Sequence, residues 1–392
     1  MPTQPAYAPW PQFADDEIAA TVAVLQSGKV NYWTGDIGRA FERDYAAATQ
    51  RRHGIAVANG TLALELALYA FGIGLGDEVI TASRTYVASA SCAVMRGAVP
   101  VVADVDADSQ CVTAATIRAA ITPKTRAIVP VHLAGWPCPM DEIMSLAEEF
   151  GLIVVEDCAQ AHGATYRGQP VGSFGHAAAF SFCQDKIIST AGEGGMLVLD
   201  DEAAWKKAWA YKDIGRSHDA VFQRDHPIGF RWLTESFGSN WRLTEIQAAI
   251  GRIQLGKLPA WSAQRRANAQ VLIDGLSRAP ALRVPVPPAH VGHAYYKLYA
   301  FVRLDELATD WSRERIMVEM TERGVLANVG SCSEIYRERA FIDRGWGPAE
   351  TLPVAHALGE SSLCFMVHPT LAKASLDHTV ETVRKVMALA AR

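Results

Sequence analysis

The chain has 392 residues, 49% hydrophobic and 20% charged, with a net charge of −5. Its length allows a large buried core and suggests two or three domains. The composition excludes a disordered chain, and the slight negative charge offers no broad basic field for gripping a nucleic acid.

Along the chain, the start from Met1 to Phe13 is proline-rich, with no basic stretch leading into an apolar one. No apolar run reaches the length of a membrane span, so a cytoplasmic protein without a membrane partner is expected. Leu62 to Phe71 is apolar on nearly every side and predicts a buried helix. Short β-rich runs follow at Glu78–Thr81, Pro100–Ala103, Ala127–Val131 and Leu152–Val155, with a helical pattern from Met140 to Ala147. Strands alternating with helices predict an α/β fold with a mainly parallel central sheet flanked by helices. Gly72-Ile73-Gly74-Leu75-Gly76 leads into a strand rather than a helix, so it reads as a connector and not as a dinucleotide fingerprint. A long helical pattern begins near Thr244 and runs through Gln254, and Pro259 predicts a kink or break before it resumes at Ser262. The domain boundary is expected there, with a large domain at 1–260 and a smaller C-terminal α/β domain at 261–392. The strand from Tyr296 to Val302, the helix from Trp311 to Arg323 and a last helix around Val380 to Ala390 fall in the smaller unit.

The seven cysteines (Cys92, Cys111, Cys138, Cys158, Cys183, Cys332 and Cys364) form no Cys-x-x-Cys pair and read as buried thiols of a reducing compartment. The eleven histidines show no metal-ligand spacing, so no metal site is expected.

Four segments carry chemistry. Asn59-Gly60-Thr61 opens the buried helix, where unpaired amides and the helix dipole favour an anion; such a turn is more often a plain helix cap. Asp157, in Glu156-Asp157-Cys158-Ala159-Gln160, follows an apolar strand and is aimed at the cleft beyond the strand ends, or else caps the next turn. Lys186 follows Phe180-Ser181-Phe182-Cys183-Gln184-Asp185 and precedes the glycine-rich turn Gly192-Glu193-Gly194-Gly195. A lysine held away from water gives up its proton more readily and can form a Schiff base with an aldehyde, whereas a lone loop lysine is simply solvated. Tyr86, in Ser83-Arg84-Thr85-Tyr86, is either an aromatic for a ligand's ring face or a core residue.

An anion-binding helix start, a strand-end carboxylate and a lysine, in this order on successive strand ends, resemble the DegT-type sugar aminotransferases. These are pyridoxal phosphate (PLP) enzymes of fold type I that act on nucleotide-linked keto sugars and related cyclitols. The resemblance runs from about Asn31 to Leu371. It implies that Lys186 is the Schiff-base lysine and proton shuttle, that Asp157 pairs with the pyridine nitrogen, and that Gln160 lies near the ring hydroxyl. It further implies that Tyr86 stacks on the ring and that Gly60, Thr61 and Ser181 hold the phosphate. Asn240 would reach the phosphate from a neighbouring subunit, which implies a homodimer with shared active sites. Trp33, Thr34, His132 and His368 match substrate-side or structural positions of the family. Lys297 stands where the family often has a histidine, an ammonium that suits a diphosphate by charge. The stretch Gly330 to Tyr336, containing Glu334, lacks the family's usual His-Tyr pair.

The implied reaction moves an amino group from glutamate to a keto group of a nucleotide-linked sugar, with the sugar expected to be a 4-keto-6-deoxy one for surface polysaccharide. Alternatives are amination of a cyclitol ketone such as scyllo-inosose, a PLP-dependent sugar dehydratase, and a non-catalytic regulator on the same fold. The dehydratase relatives carry histidine in place of the lysine, so Lys186 argues against that branch.

Overall fold

The fold is given by a computed structural model that describes residues 7–392; the first six residues of the proline-rich start lie outside it. Seven strands build the central sheet: β1 (His53–Val57), β2 (Glu78–Ala82), β3 (Val99–Ala103), β4 (Thr125–Val129), β5 (Ile153–Asp157), β6 (Ala177–Ser181) and β7 (Gly195–Leu199). Their order is β1-β7-β6-β5-β4-β2-β3. β7 runs antiparallel to β1 and β6, and the other neighbours pair in parallel. β6 and β7 are buried at every position, as a sheet covered on both faces requires.

Alternation along the strands feeds two cores. Ile55, Val57, Leu197 and Leu199 pack with Leu64, Leu68 and Trp209 on one face, while Ala56, Phe180, Met196 and Val198 meet Phe41, Tyr45 and Phe182 on the other. Helices α1 (Asp15–Ser27), α2 (Ile37–Ala48), α3 (Gly60–Ala70) and α4 (Ala88–Met95) come early in the chain. α3 is the apolar helix expected from its sequence, and Asn59 caps it by accepting from the Leu62 amide at 3.0 Å. It lies so close to β6 that a Cβ on Gly60 would stand 2.7 Å from Ser181 Cβ. Gly195 is fixed likewise, because its Cβ would meet the Asn59 carbonyl oxygen at 2.3 Å.

The long helix Glu245–Leu276 is capped by Thr244, whose hydroxyl accepts from Gln247 N at 3.4 Å. The break expected at Pro259 does not occur, since Pro259 lies inside one continuous helix. The ring removes one backbone bond, and packing on either side outweighs it: Ala248, Leu255 and Leu258 join the core around Phe182, and Ala269, Leu272 and Leu276 join a second core. That second core is centred on a small antiparallel sheet of β8 (Leu282–Arg283), β9 (Leu298–Val302) and β10 (Ser362–Phe365), covered by the C-terminal helix Lys373–Ala390. No helix of the described residues is long and apolar enough to cross a membrane.

Candidate active site

The carboxyl ends of β1, β2, β5 and β6 share one edge of the sheet, and the segments after them wall a cavity of about 740 Å³. This is where open parallel sheets gather ligands. Asn59, Gly60 and Thr61 enter from β1, Thr85 and Tyr86 from β2, Asp157 and Gln160 from β5, and Ser181, Asp185 and Lys186 from β6. The turn leading into the smaller sheet contributes Tyr296 and Lys297, and its central strand contributes Tyr299. Residues from four strand ends thus meet in one space.

The first amides of a helix have no partner within it. Asn59 satisfies that of Leu62, while Gly60 and Thr61 sit at the cavity wall beside Ser181, so this end of the cavity suits an anion. Asp157 is buried at 6% exposure, with Oδ2 accepting from Ser89 Oγ at 2.7 Å and Oδ1 from Ala159 N at 3.1 Å. Thr85 Oγ1 lies 2.8 Å from Ser89 Oγ, completing a chain of hydroxyls that orients the carboxylate. Gln160 Oε1 accepts from Ala134 N at 2.7 Å, which leaves its Nε2 to donate. Tyr86 is exposed at the cavity wall.

Lys186 is half-buried in a turn five residues past the end of β6. Its Nζ lies 5.0 Å from the centre of the Tyr296 ring, whose hydroxyl donates to Asp185 Oδ2. Its carbonyl accepts from Trp10 Nε1 at 2.9 Å. Trp10 in turn stacks on His368 and meets Trp261 edge-on. Sequence reading missed Trp10, Ser89 and Tyr296 as site residues; the signal for two of them was that Ser89 lies three positions after Tyr86 and Tyr296 directly before Lys297.

Several expected substrate-side residues do not line this chain's cavity. His132 is fully buried: its Nδ1 accepts from Cys138 N at 2.9 Å, and Nε2 lies 3.0 Å from Glu156 Oε2. Burial alone would raise the Glu156 pKa, but the His132 ring and the amides of Gly175 and Gly172 hold it below the usual carboxylate value. The two residues, with Cys158, gather ligand atoms within 4.8 Å of one another, and these hydrogen bonds already occupy the histidine and the carboxylate. Glu334 is turned toward Tyr336, His356 and Arg337. His368 is buried with Nδ1 2.8 Å from Thr370 Oγ1. Within this chain, protein neighbours take up the polar atoms of His132, Glu334 and His368, and none of the three lines the cavity. Trp33 packs on Trp209 and Phe222 and donates to Asp213 Oδ1 at 3.3 Å, and Thr34 is exposed. Asn240 is also exposed, paired through its backbone with Asp213 and away from its own chain's cavity.

Anion-seeking amides at one end, a positioned carboxylate and a primary amine suit a flat phosphorylated aldehyde with a ring nitrogen, so the residues present fit PLP. Comparison with known proteins agrees. The model of the DegT/DnrJ/EryC1/StrS aminotransferase family matches residues 11–384. The chain is 34% identical over 361 residues to the erythromycin biosynthesis sensory transduction protein EryC1 of Saccharopolyspora erythraea, covering 92% of each. It superposes on an aminotransferase from Psychrobacter cryohalolentis with a TM-score of 0.96 and 51% identity, covering 98% of this chain and 99% of that one. It also superposes on the PMP form of a putative sugar aminotransferase from Streptococcus pneumoniae, with a TM-score of 0.88 and 26% identity over 98% and 99% of the two chains. The chain thus belongs to the DegT/DnrJ/EryC1/StrS aminotransferase family and is a pyridoxal phosphate-dependent aminotransferase.

Proposed function

We propose that the protein moves the amino group of glutamate to the keto group of a nucleotide-linked sugar, a 4-keto-6-deoxy sugar destined for surface polysaccharide or a related amino-sugar product. The observation that carries this reading is the convergence of the α3 amides, Asp157 and Lys186 on one cavity. PLP, when bound, supplies an aldehyde that condenses with amines and a ring that takes up the electrons of a broken C–H bond.

This chain's residues do the rest. The amides of Gly60 and Thr61 and the Ser181 hydroxyl bind the phosphate at the positive end of α3. Asp157, fixed by Ser89 and Ala159, would keep the ring nitrogen of the cofactor protonated, and Gln160 would donate toward its ring hydroxyl. Tyr86 would cover one ring face. Lys186 Nζ would anchor the cofactor at rest, and its amine would carry the proton that leaves the donor's α carbon and the one that arrives at the sugar carbon in the return half. One amine serves both halves, so ping-pong kinetics are expected.

The same reading makes the protein a cytoplasmic homodimer with shared active sites. Its support is the exposed Asn240 and the loop before it, where Ile228, Phe230, Trp232 and Phe237 stand exposed. An apolar row of this kind suits burial against a second copy. Division into domains at 1–260 and 261–392 is supported by the change of core along the long helix. The test is to offer nucleotide-linked 3-keto and 4-keto sugars with glutamate and detect the amine by mass spectrometry. A 4-amino sugar supports the reading; amination of scyllo-inosose alone overturns it.

A further inference from the structure

Tyr295 has a φ of 50°, the left-handed region that a bulky residue seldom enters. Its amide donates to His293 Nδ1 at 2.7 Å and its ring stacks on that histidine. Its carbonyl accepts from the buried Arg265 Nη1 at 3.3 Å. The turn held in this way delivers Tyr296 and Lys297 together to the cavity wall.

Lys297 Nζ lies 4.9 Å from the centre of the Tyr296 ring, and Lys186 Nζ lies 5.0 Å from the same centre. Among the described residues, these two lysines are the cations of the cavity wall. The hydrogen-bond partner of Lys297 there is the thioether Sδ of Met366, at 2.9 Å. A thioether is a weak acceptor and leaves the ammonium unsatisfied. The nearby Asp185 carboxylate is engaged by the Tyr296 hydroxyl. Burial lowers the Lys297 pKa, Cys364 and Asp185 oppose that shift, and Arg265 and Lys186 add to it. An anionic ligand beside it would offset the cost of burying the charge.

We infer that Lys297 binds the side-chain carboxylate of the amino donor, so that it is a specificity-determining residue for a dicarboxylic amino acid. This rests on the aminotransferase reading of the cavity and deepens it. The carboxylates of an amino acid are at most a few bonds from the carbon that Lys186 must reach, and Lys297 shares an aromatic ring with Lys186. In a nucleotide-linked 4-keto sugar the diphosphate hangs from the carbon across the ring, farther from the reacting centre. A single half-buried ammonium beside the reactive amine matches the carboxylate better.

The test uses the PLP-loaded enzyme and two unreactive probes: glutarate, a dicarboxylate without an amine, and UDP, which carries the diphosphate. Binding of each is measured by calorimetry for the wild type, Lys297→Met and Lys297→Arg. Lys297→Met should weaken glutarate by at least about tenfold and leave UDP within about threefold, and Lys297→Arg should restore most of the glutarate affinity. Unchanged glutarate binding in Lys297→Met, or a loss confined to UDP, overturns the assignment. Thermal melts of both variants establish that they fold. A wild type that takes no amino group from glutamate would instead overturn the functional reading, an outcome separate from the glutarate result.

Discussion

The indole N–H of Trp10 donates to the carbonyl of Lys186 at 2.9 Å, tying the start of the chain to the turn that carries the reactive amine. Trp10 also stacks on His368, and the Arg265 guanidinium lies 4.9 Å from its ring centre. Trp10→Phe keeps the stacking and loses the bond. It should cost about 1 kcal/mol of stability in urea unfolding and lower turnover more than it changes cofactor affinity. Turnover at the wild-type level would show that the tie does not position Lys186.

Ser89→Ala removes the hydroxyl that donates to Asp157 Oδ2 at 2.7 Å. The carboxylate keeps its bond from Ala159 N, so the fold should survive, at a cost of about 1–2 kcal/mol. Cofactor release, followed by dialysis and absorbance, should quicken several-fold, as expected for a loosened charge-assisted contact. Release at the wild-type rate would count against a role for Asp157 at the ring nitrogen.

Much of the architecture is legible in local sequence, because strand ends, helix starts and turn glycines are local features. Asn59-Gly60-Thr61, Asp157 and Lys186 could be placed on strand ends without a structure, and the structure brings them to one cavity. Local reading could not see pairs built across the sheet. Nothing local shows that Glu156 and Cys138 enclose His132, or that Trp10 in the proline-rich start meets Lys186. Pro259 shows the opposite: the local rule predicted a kink or break, and packing on both halves of the helix kept it unbroken.

Acid should destabilise the protein well before its carboxylates titrate. Burial lowers His162 and His293 from 6.5 to about 3 and His368 to about 4. His162 is sealed between the Tyr45 hydroxyl at 2.6 Å and the Ser181 carbonyl at 2.9 Å. These histidines stay neutral in the folded chain while the unfolded chain takes up protons below about 6.5. Their stabilisation is therefore complete above that pH and is lost as pH falls toward the folded values. Between pH 7.5 and 5.5 the loss should be roughly 1.4 kcal/mol for each histidine, on the order of 4 kcal/mol for the three, read from urea midpoints. Equal stability at the two pH values would contradict it.

Trp232 is 81% exposed in the single chain, between Phe230 and Phe237. In the proposed dimer this loop is covered by the second copy, so Trp232→Asp should shift sedimentation from dimer to monomer and reduce activity at low protein concentration. An unchanged dimer would place the interface elsewhere.

The most direct measurement concerns Lys186 itself. The purified, PLP-loaded protein is reduced with borohydride, digested, and mapped by mass spectrometry. The account predicts a pyridoxyl group on Nζ of Lys186, absent from Lys186→Ala, which should also lose turnover while remaining folded. A pyridoxyl group on another lysine, or a Lys186→Ala variant with normal activity, would contradict the account.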